Sequence, residues 1–208
     1  MPSRNNWVPR TVAAAFVVCL ATWSVSAQQA PTVRIRGTIE SVDGSTLGIK
    51  TREGTDVKVR MTDNVAIFAV VKTELSEIKE GSYIGVTAMP EPDGTQKAIA
   101  VHIFPENQRG AAEGFRPWDA RANSTMTNAT VAQTVKGTDG QHITVKYKDG
   151  EKNVVVPPDT PIVTFVASDK SEVKPGAKLI IFGAAKKDDS TLEANRVNVG
   201  RDGVTPPM

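Results

Sequence analysis

The chain has 208 residues, 25 Lys and Arg against 23 Asp and Glu, a formal net charge of +2, one cysteine and two histidines. Arg4 and Arg10 account for the surplus charge, so everything after them is neutral and lacks the standing positive field that nucleic-acid binding requires. The lone Cys19 excludes an internal disulfide, and His102 and His142, with no further histidine or cysteine at ligand spacing, argue against a tight transition-metal site.

From the N-terminus, Arg4 and Arg10 form a positive region, Thr11 to Trp23 is almost uninterrupted in Ala, Val, Phe and Leu, and Val25-Ser26-Ala27 is a small-x-small cleavage site. This order predicts a secretory signal peptide over 1–27. Its apolar run is shorter than the roughly 20 residues of a membrane-spanning helix, so no transmembrane segment is expected after cleavage. Cys19 leaves with it, and the protein is expected in the periplasm or outside the cell. About 180 residues remain, enough for one large or two small cores.

Residues 31–104 read as a small β-domain. Val33, Ile35, Ile39, Leu47 and Ile49 alternate with Arg34, Arg36, Lys50 and Arg52, and Val57, Val59 and Met61 with Lys58 and Arg60. A period of two with one apolar face predicts half-buried antiparallel strands. Asp43-Gly44 and Glu53-Gly54 are hairpin turns. Leu75 and Ile78 suit one helical turn ending at Gly81, and two more strands follow near 82–89 and 96–104. In this pattern His102, between Val101 and Ile103, belongs to the polar face of its strand. Three strands, a turn and two strands suit a partly closed barrel of oligonucleotide/oligosaccharide-binding (OB) type, although a short sandwich gives nearly the same pattern.

Residues 105–127 break the alternation. Pro105, Gly110, Gly114 and Pro117 argue against a regular element, yet the segment holds Phe115, Trp118, Arg109, Arg116 and Arg121. It reads either as a strap whose aromatics plug the crevice between two barrels or as a hook facing a ligand or partner.

Residues 128–203 repeat the first copy at an offset of about 96. Leu47 and Ile49 match Ile143 and Val145; Gly54 matches Gly150; Asp63 matches Asp159. Ser76-Glu77-Ile78 matches Ser171-Glu172-Val173, and Ala98, Val101 and Ile103 match Ala194, Val197 and Val199. The expectation is therefore an all-β protein of two tandem barrels, 31–104 and 128–203, joined by the 105–127 linker and followed by a short tail, 204–208.

The spacing Gly-x-Ile-x-x-Val-Asp-Gly at 37–44, Leu-x-x-Ile-x-x-Gly from Leu75, and Asp93-Gly94 followed by Ala98 resembles domain-of-unknown-function family 5666, found in exported bacterial proteins. The resemblance covers 33–104 well and 129–200 more weakly. It implies a fold and a compartment and brings no catalytic residues.

No nucleophile elbow, zinc-protease motif or phosphate-cradling loop is present, so no enzymatic activity, metal or cofactor is expected. One asymmetry stands out. Arg34, Arg36, Lys50, Arg52, Lys58 and Arg60 share the polar register of the first three strands, whereas residues 63–104 hold three basic and six acidic residues. A basic sheet face is ordinarily solvated surface. As a binding face, joined by Phe115 and Trp118, it meets an anionic envelope glycan, a lipid headgroup or an envelope protein through salt-screened contacts. The function expected is a non-enzymatic binding or interaction protein of the bacterial envelope. The alternatives are a structural accessory subunit of an envelope complex and, less favoured, a hydrolase of envelope polymers.

Overall fold

The alternating segments become twelve strands in a computed structural model that describes residues 31–187 and 191–208. The expected signal peptide at 1–27 lies outside the described residues. The strands are β1 (Thr32–Asp43), β2 (Thr46–Thr51), β3 (Asp56–Lys72), β4 (Tyr83–Pro90), β5 (Gln96–Ile103), β6 (Gly114–Pro117), β7 (Thr125–Lys136), β8 (Gln141–Tyr147), β9 (Gly150–Val156), β10 (Ile162–Ser168), β11 (Lys178–Lys186) and β12 (Leu192–Gly200). Gly44 and Gly54 take φ values of 56° and 87° at the first two hairpins, a region open to glycine at little cost.

The strands close into rings, which rules out the sandwich. β1, β2 and β3 form an antiparallel meander. β11 joins it antiparallel to β1, and β12 then pairs antiparallel with β11 and parallel with β3. This is a five-stranded barrel of the expected OB-like kind. A second ring is made the same way: β7, β8 and β9 form the meander, β4 pairs β7, and β5 pairs β4 and touches β9 in parallel at Gln96–Val154 and Lys97–Val155.

The ring membership corrects the expected boundaries. Neither 31–104 nor 128–203 closes on itself. Each copy keeps its three-stranded meander and sends its last two strands to the other copy's ring. The cores show the same exchange. Ile39, Leu47, Ile49 and Val59 pack with Val173, Leu179, Ile181 and Val197 in one cluster, and Ile84, Val86 and Val101 pack with Ala129, Val145 and Val154 in the other. The repeat-matched residues Ile78 and Val173 plug opposite barrels.

The exchange follows from how the strands continue. β3 runs for 17 residues and carries the chain beyond its own ring. The second copy has Pro157, Pro158 and Pro161 at the corresponding place, where the missing N–H groups break the ladder, and β10 restarts beyond them. β10 lies between the rings, antiparallel to β3 and parallel to β5. Its pairing with β3 is centred on Ala69–Val166 and Val70–Phe165. The repeat offset makes Ala69 equivalent to Phe165 and Val70 to Val166, so a pseudo-twofold axis passes through this pair.

Two further expectations change. The 105–127 segment contains a regular element: β6 lies antiparallel on β7 with Phe115 opposite Thr127. Pro117 is tolerated because it ends the strand. Residues 204–208 are not a loose tail, because Val204 and Met208 are buried with Val70, Met126, Phe165 and Ile180 in a third cluster between the rings.

Candidate functional site

Between the rings, under the segment that precedes β7, lies a cavity of about 340 Å³. β1 contributes Arg34, β5 His102, β6 Arg116, β7 Met126 and Asn128, β10 Phe165, β11 Phe182 and β12 Arg196, and the connecting segments add Phe104, Ala111, Ala112 and Trp118. Residues from both copies and from the linker therefore build one site.

The outer face of the second ring forms its floor. β4 is buried on both sides from Tyr83 to Ala88: Ile84, Val86 and Ala88 point into the ring core, while Tyr83, Gly85 and Thr87 lie beneath the cover. Gly85 pairs with His102 on one neighbouring strand and with Asn128 on the other. A Cβ at Gly85 would lie 1.9 Å from His102 Cε1 and 2.7 Å from Asn128 Oδ1, so the glycine leaves room for both side chains above it. His102, expected on the polar face of its strand, is only 3 % exposed there. The face is polar with respect to its own barrel, but the linker and β10 cover it. Burial, reinforced by the charges of Arg116 and Arg196, depresses the imidazole pKa to about 3 and keeps the ring neutral.

Several polar atoms here are buried without a protein partner: His102 Nδ1, Asn128 Oδ1, Trp118 Nε1 and Arg34 Nε. Buried donors and acceptors are ordinarily paired, because an unmade hydrogen bond costs about 1–3 kcal/mol. Asn128 is oriented by its amide, which donates to Ala111 O at 3.0 Å; Tyr83 Oη donates to the same oxygen at 3.2 Å.

Charge in the site is one-sided. Arg34 stacks on Trp118, Cζ to ring centroid 3.6 Å, and pairs with Asp119 at 2.8 Å. Arg36 pairs with the same Asp119 oxygen at 2.8 Å. Burial alone would raise the Asp119 pKa, but hydrogen bonds and charge from Arg36 and Arg34 outweigh it and hold the group at about 2. Among the described residues, Arg116 and Arg196 have only neutral hydrogen-bond acceptors: Arg116 donates to Ala112 O at 2.8 Å, and Arg196 to Asn198 Oδ1 at 3.0 Å and Gln108 Oε1 at 3.2 Å. Arg196 also stacks 4.1 Å from the Phe68 centroid. The pKa of each is lowered, Arg116 by burial and then by Arg34, Arg196 by burial. Among the described residues lining the cavity there is no carboxylate.

The residues singled out in the sequence are distributed over several places. Arg34 and Trp118 belong to the cavity. Arg36, Lys50 and Arg52 line a separate groove of about 660 Å³ with Arg121, Lys178 and the C-terminal residues. Arg36 does not point freely to solvent as expected: its side chain is 11 % exposed, and Nε donates to Met208 O. Lys50 pairs with Asp56 at 2.8 Å, Arg52 with Glu53 at 3.3 Å, and Arg60 with Glu193 from the other copy. Lys58 and Arg60 are exposed farther along β3. Phe115 is 40 % exposed and faces the Lys152 ammonium at 4.4 Å rather than the crevice, so Trp118 alone plays the plugging role. A wider surface depression of about 850 Å³, where His142 pairs with Asp139 at 2.7 Å, has no buried unpartnered side-chain atom among its described lining residues.

His102, Asn128 and Arg196 line the cavity without standing out in the alternation of their strands. The available signal was Gly85, a glycine inside the apolar strand Tyr83–Ala88, which marks close approach by other groups. No family model, curated protein or solved structure matches this chain.

Proposed function

We propose that this is a non-enzymatic binding protein of the bacterial envelope, exported by cleavage of residues 1–27, and that its ligand sits between the two barrels rather than on the outer basic face. The carrying observation is the juxtaposition of unpartnered His102 Nδ1 and Asn128 Oδ1 with Arg116 and Arg196 in a cavity whose described lining lacks a carboxylate. A site lined by aromatic rings with a few convergent polar groups is the ordinary form of a small-molecule pocket. The outer face is a weaker candidate, because Arg36, Lys50, Arg52 and Arg60 are each paired with acidic side chains. The signal-like N-terminus and the resemblance to exported domains support the compartment.

The test is native mass spectrometry on protein recovered gently from envelope fractions. The expected result is a processed chain beginning near Gln28 and carrying a small-molecule adduct that unfolding releases. A chain with no adduct, and with no thermal shift across a library of small metabolites, overturns the reading. If that chain co-purifies with one stoichiometric protein partner, it is an accessory subunit instead.

A further inference from the structure

We propose that the inter-barrel cavity takes a small aromatic carboxylate that carries a hydroxyl or amino donor, its carboxylate meeting Arg116 and Arg196 and its donor reaching Asn128. This rests on the reading of the cavity as a ligand site.

The anionic character follows from charge that the protein leaves uncompensated. Asp119 pairs with both Arg34 and Arg36 from the side at 2.8 Å and offsets one of their two charges. Among the described residues, the hydrogen-bond acceptors of Arg116 and Arg196 are a backbone carbonyl and two side-chain amides, and none is a carboxylate. Both are partly buried, so each loses hydration that a carboxylate, with paired acceptor oxygens, replaces. His102 is held neutral, and neither adds positive charge nor repels an anion.

The aromatic body follows from the walls. His102, Phe104, Phe165, Phe182 and Trp118 form a chain of ring contacts with centroid separations from 4.4 Å to 6.5 Å. They offer ring edges and faces to a flat guest. The cavity, at about 340 Å³, is near the lower end of the roughly 300–1,000 Å³ range of small-molecule sites, which suits one ring rather than a polymer segment. The donor follows from Asn128. Its amide nitrogen is already engaged with Ala111 O, so the unpartnered Oδ1 accepts and calls for an O–H or N–H on the guest.

The experiment is isothermal titration of protein purified after expression of the full sequence, with para-hydroxybenzoate, benzoate, para-hydroxybenzamide, benzylamine and inorganic phosphate as probes. Para-hydroxybenzoate is expected to bind tightest, para-hydroxybenzamide and benzoate each about tenfold or more weaker, and benzylamine and phosphate not measurably. Arg196→Gln and, separately, Arg116→Gln are expected to weaken the acid about tenfold while leaving the amide unchanged, which also reports that each variant is folded. Equal binding of acid and amide, or phosphate binding as well as the ring acids, overturns the ligand class while the cavity still stands as a site. Failure of every probe by a protein that carries a native adduct overturns the class alone. Failure of every probe by a protein with no adduct overturns the site as well.

Discussion

His102 and Asn128, on strands that do not pair with each other, meet over Gly85 of the strand between them. Three adjacent strands thus present an imidazole and a carboxamide side by side because the middle one has no side chain. Gly85→Ala is expected to push the imidazole out of place, since the new Cβ would fall 1.9 Å from Cε1 and 2.3 Å from Nε2. The cost is about 1–3 kcal/mol, as for other overpacked cores. Adding His102→Ala to Gly85→Ala should recover part of it, and urea unfolding of the two single variants and the double variant measures the coupling.

Acid should destabilise the protein earlier than its carboxylates alone predict. His102 has its pKa lowered from 6.5 to about 3 by burial, with Arg116 and Arg196 adding to it. Between these values the unfolded chain binds the proton and the folded one does not, so stability is full above about pH 6.5, falls as pH drops, and levels out below about 3. Asp119, held at about 2, adds a second loss that begins only below its ordinary value of 3.8. His102→Phe keeps a ring against Phe104 and Phe165 and should flatten the stability profile from pH 6.5 down to about 4.5, where glutamates of lowered pKa such as Glu106 and Glu193 begin to lose their contribution, while leaving the lower window. Denaturant titrations at stepped pH show whether the two windows separate.

Charge reversal on the outer face should divide its residues into two kinds. Lys50→Glu and Lys58→Glu are expected to shift stability by about 0.5 kcal/mol or less, because both sites are surface positions. Arg36→Glu removes contacts to Asp119 and Met208 O from a side chain that is 11 % exposed, and should cost about 2–3 kcal/mol. Calorimetric melting of the three variants decides this, and equal Tm values for all three would show that the Arg36 contacts contribute nothing.

Fragments that follow the sequence repeat should not fold alone. Residues 31–104 lack β11 and β12, which complete the first ring, and 105–208 lacks β4 and β5, which complete the second. Each fragment is expected to lack cooperative melting, and an equimolar mixture to regain it with the circular dichroism of the intact chain. Two fragments that each melt cooperatively when separate would contradict the exchange.

The local pattern was readable because the period of two depends only on which face of a strand is covered. Ile35, Ile39, Leu47, Ile49, Val59 and Met61 are all buried, as their alternation implies, and the hairpins fall at Gly44 and Gly54. Ring membership was not readable. β4 and β5 carry the same pattern as β11 and β12, so either pair suits either meander, and the choice depends on the unbroken length of β3 and on the prolines beyond β9. The burial of His102 was not readable for a related reason. Alternation separates inside from outside for one barrel, but the outside of this barrel is the inside of a contact between two. The placement of Arg116 and Arg196 at one cavity depends on that contact and has no local signature.

The strand exchange also sets an order of events in time. The first ring cannot close until the chain has delivered residues that pair Val33 with Ala184 and Val59 with Leu192. Until then β1 to β3 can form at most a meander with both edges open, a state prone to pair with other chains. Contacts spanning most of the polypeptide make closure slow, because the entropy of a long loop is lost before any of it is rewarded. A chain made from its N-terminus can therefore complete the second ring once β9 has arrived, while β1 to β3 wait with open edges until the final two strands are delivered.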